Sequence, residues 1–327
     1  MKHIILGKSG LDVSRIAFGT WQLGGDWGPT DTEAAMDAIR RAADQGVTFF
    51  DTAQAYGFGQ SELLLAAALR QLPRHQIVIA TKGGLRPEGA GIVRDASAEW
   101  IRQGVEASLR ALGTDYVDLY QVHWPDPATP FEETADALAK LVADGKILHV
   151  GVSNFDVGQM QAFSATLPVE TLQPPYHLFR REIEADVLPY AAANDIGVMV
   201  YGPLAHGLLS GHIAAGTEFD PDDWRSKSPA FHDNSFGRNL GVVDRLRQLA
   251  QEELGITLAQ LAVAWTLHNP AVHVAIVGTR DPSHVDEALT AADLDLDDEV
   301  MQRIDRIMTE AVPVGGPSPE GMERGAA

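Results

Sequence analysis

Four ionisable residues stand directly after short apolar runs, where a fold of buried strands would bring them together. Asp51 closes Phe49-Phe50-Asp51, Tyr56 follows in the adjoining segment, Lys82 closes Ile79-Ala80-Thr81-Lys82, and His123 closes Leu119-Tyr120-Gln121-Val122-His123. Singly, each is more often a packed or solvated residue; together they have the groups for carbonyl reduction. That reaction needs a proton donor for the developing alkoxide. Tyrosine, with a pKa near 10, is a weak acid unless a cation stabilises its phenolate. At ~4 Å and an effective dielectric of about 20, an ammonium and a phenolate attract by roughly 4 kcal/mol, enough to draw the phenol down towards neutrality before solvent screening. Asp51 would keep Lys82 charged and in place, and His123 would hydrogen-bond and orient the substrate oxygen.

The elements that must position these groups alternate along the chain. Apolar runs at Ile16–Gly19, Val47–Asp51, Ile77–Thr81, Val117–Val122, Ile147–Val152, Val169–Gln173, Gly197–Tyr201 and Val272–Val277 read as parallel strands buried on both faces. Helical patterns lie between them. Thr30 with Glu33 and Thr257 with Gln260 form capping-box patterns, Ser97 can cap a third helix, and Gly46 and Gly113 sit where helices should stop. Eight strand–helix units predict an α/β (β/α)8 TIM barrel spanning residues 1–310 as one domain. The doubly wound alternative lacks its Gly-x-Gly-x-x-Gly after the first strand. Lys2–Leu6 and Val13–Ile16 predict an N-terminal β-hairpin plugging the barrel floor. Gly202–Asn239 predicts a long loop after strand seven, and 311–327 a mobile tail.

With the order of these motifs in view, Asp51-Thr52-Ala53-Gln54-Ala55-Tyr56-Gly57, Lys82, His123 and Gly151-Val152-Ser153-Asn154-Phe155 resemble the aldo-keto reductase family, in its bacterial NADP-dependent type. The similarity runs from Leu6 to about Ala288. It implies that Tyr56 is the general acid, tuned by Lys82 and Asp51, that His123 positions the carbonyl, and that hydride passes directly from a nicotinamide without a metal. Ser153, Asn154 and Gln173 match the residues that hold the carboxamide, whose one acceptor and two donors suit such side chains. Tyr201 matches the aromatic that stacks on the nicotinamide. Gly202-Pro203-Leu204-Ala205-His206-Gly207 resembles the segment following the pyrophosphate, with small residues for close backbone approach. Gly19-Thr20-Trp21 matches the segment beside cofactor and substrate, and Arg225 a clasp over the cofactor. Gly278-Thr279-Arg280 and His284 match the adenosine end. There Arg280 would take the 2′-phosphate of NADP(H) in preference to NAD(H), helped by a helix start at Pro282; a surface pair with Asp281 is the alternative. Departures are His284 where relatives carry Gln or Arg, Ala288 for a frequent Asn, and His212 where some bacterial relatives have Lys.

Trp21, Trp27, Phe58 and Trp124 also follow strand ends, which predicts an aromatic substrate mouth favouring aromatic and medium-chain aldehydes. A formal charge of −20 argues against nucleic acid or an anionic membrane as partner. No apolar run approaches the roughly 18 residues of a membrane span. With no cysteine, thiolate chemistry is excluded. The expectation is a cytoplasmic enzyme with a small-molecule carbonyl substrate. A sugar or alcohol dehydrogenase running oxidatively with NAD, and a cofactor-binding regulatory subunit, stay open as alternatives.

Overall fold

The computed structural model describes residues 1–89 and 91–321. The chain enters through a hairpin, β1 (His3–Ile5) against β2 (Asp12–Ser14). The barrel strands β3 (Ile16–Gly19), β4 (Phe49–Asp51) and β5 (Val78–Gly83) follow. A second hairpin, β6 (Leu85–Glu88) with β7 (Gly91–Arg94), then rises from the barrel. The remaining barrel strands are β8 (Val117–Val122), β9 (Ile147–Ser153), β10 (Thr171–Gln173), β11 (Gly197–Tyr201) and β12 (Val274–Val277). These eight pair in parallel and close, β12 returning to β3. The (β/α)8 barrel expected from the sequence is the observed architecture.

Ten α-helices pack around it among the described residues: α1 (Thr32–Asp44), α2 (Gln60–Leu69), α3 (Ala98–Leu112), α4 (Phe131–Ala143), α5 (Val157–Ser164), α6 (Val187–Ala193), α7 (Asn234–Gln248), α8 (Leu258–His268), α9 (Val285–Thr290) and α10 (Asp298–Met308). Ser97 caps α3, which stops at a left-handed Gly113, and Thr257 with Gln260 closes a reciprocal box on α8. At α1 the cap is one residue later than expected. Asp31 Oδ1 accepts from Glu33 N and Ala34 N, while the Thr30 hydroxyl donates to the Gln22 carbonyl. A carboxylate outcompetes a hydroxyl for helix N–H groups, because the acceptor is charged.

The barrel interior is apolar, with Ala17, Phe49, Ala80, Leu119 and Met199 meeting Leu6 and Val13 of the entry hairpin. That hairpin therefore seals the floor. Gly7, at φ +52°, makes this possible: a Cβ there would lie 2.3 Å from Gly197 N. A larger core separates barrel from helices.

Two expectations change above the barrel. The long loop after β11 ends at Asp233, which caps α7, so the helix begins inside the stretch expected to be loop. The loop docks through a Trp27–Asp223 bridge. The chain after α10, expected to be mobile, instead makes specific contacts as far as Glu320. Asn239 exchanges two hydrogen bonds with the Val312 backbone, Val314 N donates to Phe179 O, and Glu320 pairs with Arg94 of β7. Val314 is fully buried. Residues 322–327 lie outside the described residues.

Candidate active site

At the C-terminal ends of the strands, β4 and β5 set Asp51 and Lys82 side by side. Lys82 Nζ donates to Asp51 Oδ2 at 2.6 Å, to the Thr52 carbonyl at 2.9 Å and to the Tyr56 hydroxyl at 3.4 Å. All three ammonium hydrogens are thereby directed. Asp51 Oδ1 accepts from Gln173 Nε2 at 2.8 Å, tying β10 into the same cluster. Tyr56 sits in the turn before α2, and the His123 ring, just beyond β8, stands edge-on to it with centroids 5.7 Å apart. The sequence-predicted four are thus brought together.

Their electrostatics differ from the expectation in one respect. Burial, and then the Asp51 carboxylate, hold the Tyr56 phenol well above its ordinary range. Lys82 does not draw it down towards neutrality, because its charge is matched by Asp51 and burial lowers its own pKa. His123 is driven well below the usual imidazole range by burial and by Lys82. At neutral pH the site therefore presents a protonated phenol and a neutral imidazole. Glu62, a buried carboxyl on α2 held by Thr81 and facing Lys82, was not anticipated. Its place in an apolar helical run offered no chemical signal.

A cavity of about 420 Å3 opens over these groups and runs towards α9. Trp21 and Trp27 follow β3, Trp124 follows His123, and all three line it. Phe58 does not; it is a half-buried turn residue at φ +46°. The expected cofactor residues Gly19, Thr20, Ser153, Asn154, Gln173 and Tyr201 face the cavity from the ends of β3, β9, β10 and β11. Gly202, Pro203, Leu204, His206 and Gly207 follow, but Ala205 is fully buried behind them and lines nothing. Asp26, between Gly25 and Trp27, also lines the wall, and Trp224 in the long loop stacks on the Trp21 ring, centroids 6.1 Å apart. The sequence reading missed both, although an acid between a glycine and a tryptophan just past a strand end is a usable signal.

The free acceptors at the centre fit the amide hydrogens of a nicotinamide carboxamide. Asn154, held at φ +62°, gives its two amide hydrogens to His123 O and Ser153 Oγ. Its Oδ1 accepts from the Tyr201 hydroxyl at 2.9 Å and retains a lone pair. Ser153 Oγ donates to Gln173 O and can still accept. A left-handed non-glycine residue is strained, and such strain concentrates where side-chain aim is functional.

The far end is less committed. Arg280 Nη1 donates to the carbonyls of Trp27 (3.0 Å) and Pro29 (2.9 Å), and not to Asp281, whose carboxylate caps Ser283 N. The expected helix start at Pro282 is a short 3-10 turn ahead of α9. Its first free N–H is consequently already taken. Thr279 and Gly278 line the cavity, but Gly278 is small for packing: a Cβ there would lie 2.4 Å from Gly19 O. Arg225 is engaged with Asp223 and His206 O, over the Trp27 ring at 4.6 Å. His284 stacks on His212 across the groove, centroids 5.2 Å apart.

The comparisons with known proteins identify the family. A model of the Aldo/keto reductase family matches residues 15–309. Over 319 residues the chain is 42% identical to the aldo-keto reductase YhdN of Bacillus subtilis (strain 168), covering 96% of each. It is 34% identical over 316 residues to the NADH-specific methylglyoxal reductase of Escherichia coli (strain K12), covering 91% of this chain and 95% of that protein. A solved glycerol dehydrogenase from Gluconobacter oxydans superposes with a TM-score of 0.85 at 39% identity, covering 95% of this chain and 96% of that one. An eight-stranded parallel barrel with a Tyr–Lys–Asp–His cluster at its mouth, matched along nearly its whole length, places this chain in the aldo/keto reductase family, whose members use nicotinamide cofactors.

Proposed function

We propose that residues 1–310 form one catalytic unit, a cytoplasmic reductase that converts aldehydes or ketones to alcohols with NADP(H), using Tyr56 as general acid. The observation that carries this reading is Lys82 Nζ lying between the Asp51 carboxylate and the Tyr56 hydroxyl at the base of the cavity. When bound, a reduced nicotinamide supplies the hydride for the carbonyl carbon. The neutral His123 ring donates to the carbonyl oxygen and orients it. Tyr56 Oη then gives its proton to that oxygen: the phenolic O–H bond breaks and the alcohol O–H forms. The resulting phenolate lies beside the Lys82 ammonium, whose attraction grows as the negative charge develops. Because burial keeps the phenol protonated at neutral pH, the donor form is fully populated before reaction.

The oxidative reading uses the same residues in reverse and is favoured by the name of the glycerol dehydrogenase it resembles. It needs Tyr56 as a base, which the raised phenol opposes. A purely regulatory role would not require all four groups to be aligned. The choice of NADP(H) rests on Arg280 and Thr279 at the groove end, against the NADH-specific relative. Initial rates in both directions with both cofactors test the reading. Carbonyl reduction faster with NADPH than with NADH is expected; no turnover of any carbonyl with either cofactor would overturn it.

A further inference from the structure

The wall beside Tyr56 ends in a carboxyl that the proton transfer does not use. The Trp21 ring stacks near Tyr56, centroids 6.3 Å apart at 25°, and its Nε1 donates to Asp26 Oδ2 at 3.3 Å. Among the described residues this is the one side-chain hydrogen bond Asp26 makes, and no cation lies in salt-bridge reach of it. The other acids in the cavity have different places. Asp51 is paired with Lys82, while Asp281 and Glu287 stand at the groove end around α9. The neighbouring cations are engaged too, Arg225 with Asp223 and Arg280 with backbone carbonyls.

His206 stands edge-on to the Trp21 ring at 6.1 Å, 5% exposed and with Nε2 unpartnered. This part of the cavity is thus an indole wall whose Nε1 meets a carboxylate acceptor and whose ring also meets an imidazole. An aromatic wall alone would favour plain apolar aldehydes. A carboxylate with open lone pairs changes that preference, because an apolar substrate would leave it desolvated and unpaired.

We propose that Asp26 is a specificity-determining acceptor that selects carbonyl substrates bearing a hydroxyl beyond the carbonyl, that is, hydroxy-aldehydes and hydroxy-ketones over unsubstituted ones. The substrate would lie along the Trp21 face, its carbonyl at Tyr56 and its hydroxyl donating to Asp26. Burial pushes the Asp26 carboxyl up to about 6, so it is largely ionised, and a strong acceptor, at neutral pH. This assignment rests on the carbonyl-reductase reading and adds to it the substrate class.

The test compares kcat/KM for glyceraldehyde with propanal, and for erythrose with butanal, in wild type, Asp26→Asn and Asp26→Leu. The Asn variant keeps an acceptor for Trp21 Nε1 and the side-chain shape; the Leu variant removes the acceptor. The hydroxylated-to-plain ratio should fall about tenfold or more in Asp26→Leu, the loss expected for a hydrogen bond to a charged group, and a few-fold in Asp26→Asn. Equal losses for both members of each pair, or an unchanged ratio, would overturn the assignment. If Asp26→Leu does not fold, the ratio in Asp26→Asn decides alone. Wild-type turnover with an unaltered ratio in the variants refutes only the role of Asp26, whereas wild-type inactivity towards every carbonyl refutes the reductase reading and this inference together.

Discussion

The two ends of the cavity are built on different supports. At the carbonyl end, Asp51, Lys82, His123, Asn154 and Gln173 sit on or directly after barrel strands, and each charge has a partner within hydrogen-bond reach. At the far end, beside α9, Arg280 and Arg225 stand on loops and 3-10 turns with their donors turned to backbone carbonyls or to Asp223, and the His284 ring stacks on His212. Strands within a closed barrel cannot shift singly, so the chemistry is preorganised where a small displacement would be most costly. Loops can exchange one acceptor for another. The groove end can therefore close on a phosphate only by releasing contacts it already makes.

The largest expected effect is at the carbonyl end. Tyr56→Phe removes the proton and little else, so kcat should fall by roughly 10²-fold or more. Cofactor affinity, followed by quenching of tryptophan fluorescence, should stay near wild type. A Phe variant turning over at the wild-type rate would remove the basis for setting this end apart.

A smaller effect is expected at the far end. Arg280→Ala should weaken NADPH binding about tenfold and leave NADH nearly unchanged, a moderate change because Arg280 must first give up the Trp27 and Pro29 carbonyls. Dissociation constants for both cofactors measure this. Equal losses for the two would show that Arg280 supports the loop after β3 and does not read the phosphate.

The smallest effect concerns the chain after α10, which lines the cavity through Gly316, Pro317 and Pro319. Glu320 pairs with Arg94 while half exposed, and such pairs contribute at most about 1 kcal/mol. Glu320→Gln should lower the melting temperature by no more than about 2 °C. A much larger drop in a thermal scan would mean that this segment is integral to the barrel mouth.

How much of this was legible beforehand follows from the range of each interaction. The eight apolar runs, the hairpin and the order of Asp51, Tyr56, Lys82 and His123 depend on local pattern, and strand ends in a parallel barrel necessarily converge on one face. The caps at Ser97 and Thr257 are local as well. At Thr30 the reading failed by one residue, because two adjacent acceptors competed and only the path of the chain past Gln22 selected Asp31.

Other features were decided by distances between segments remote in sequence. The protonation of Tyr56 depends first on its burial and then on the nearby Asp51 carboxylate, which takes the closer bond from Lys82, 2.6 Å against 3.4 Å. Arg280 was visible as a cation, but its acceptors come from the loop after β3, which sequence does not place beside it. Composition after Ala311 suggests a loose end; the carboxamide of Asn239 and a buried slot for Val314 hold it. Residue type and spacing determined which groups reach the mouth of the barrel. Only the tertiary structure determined which charges are already paired there, because desolvation and Coulomb energy depend on burial and separation in space and not on position along the chain.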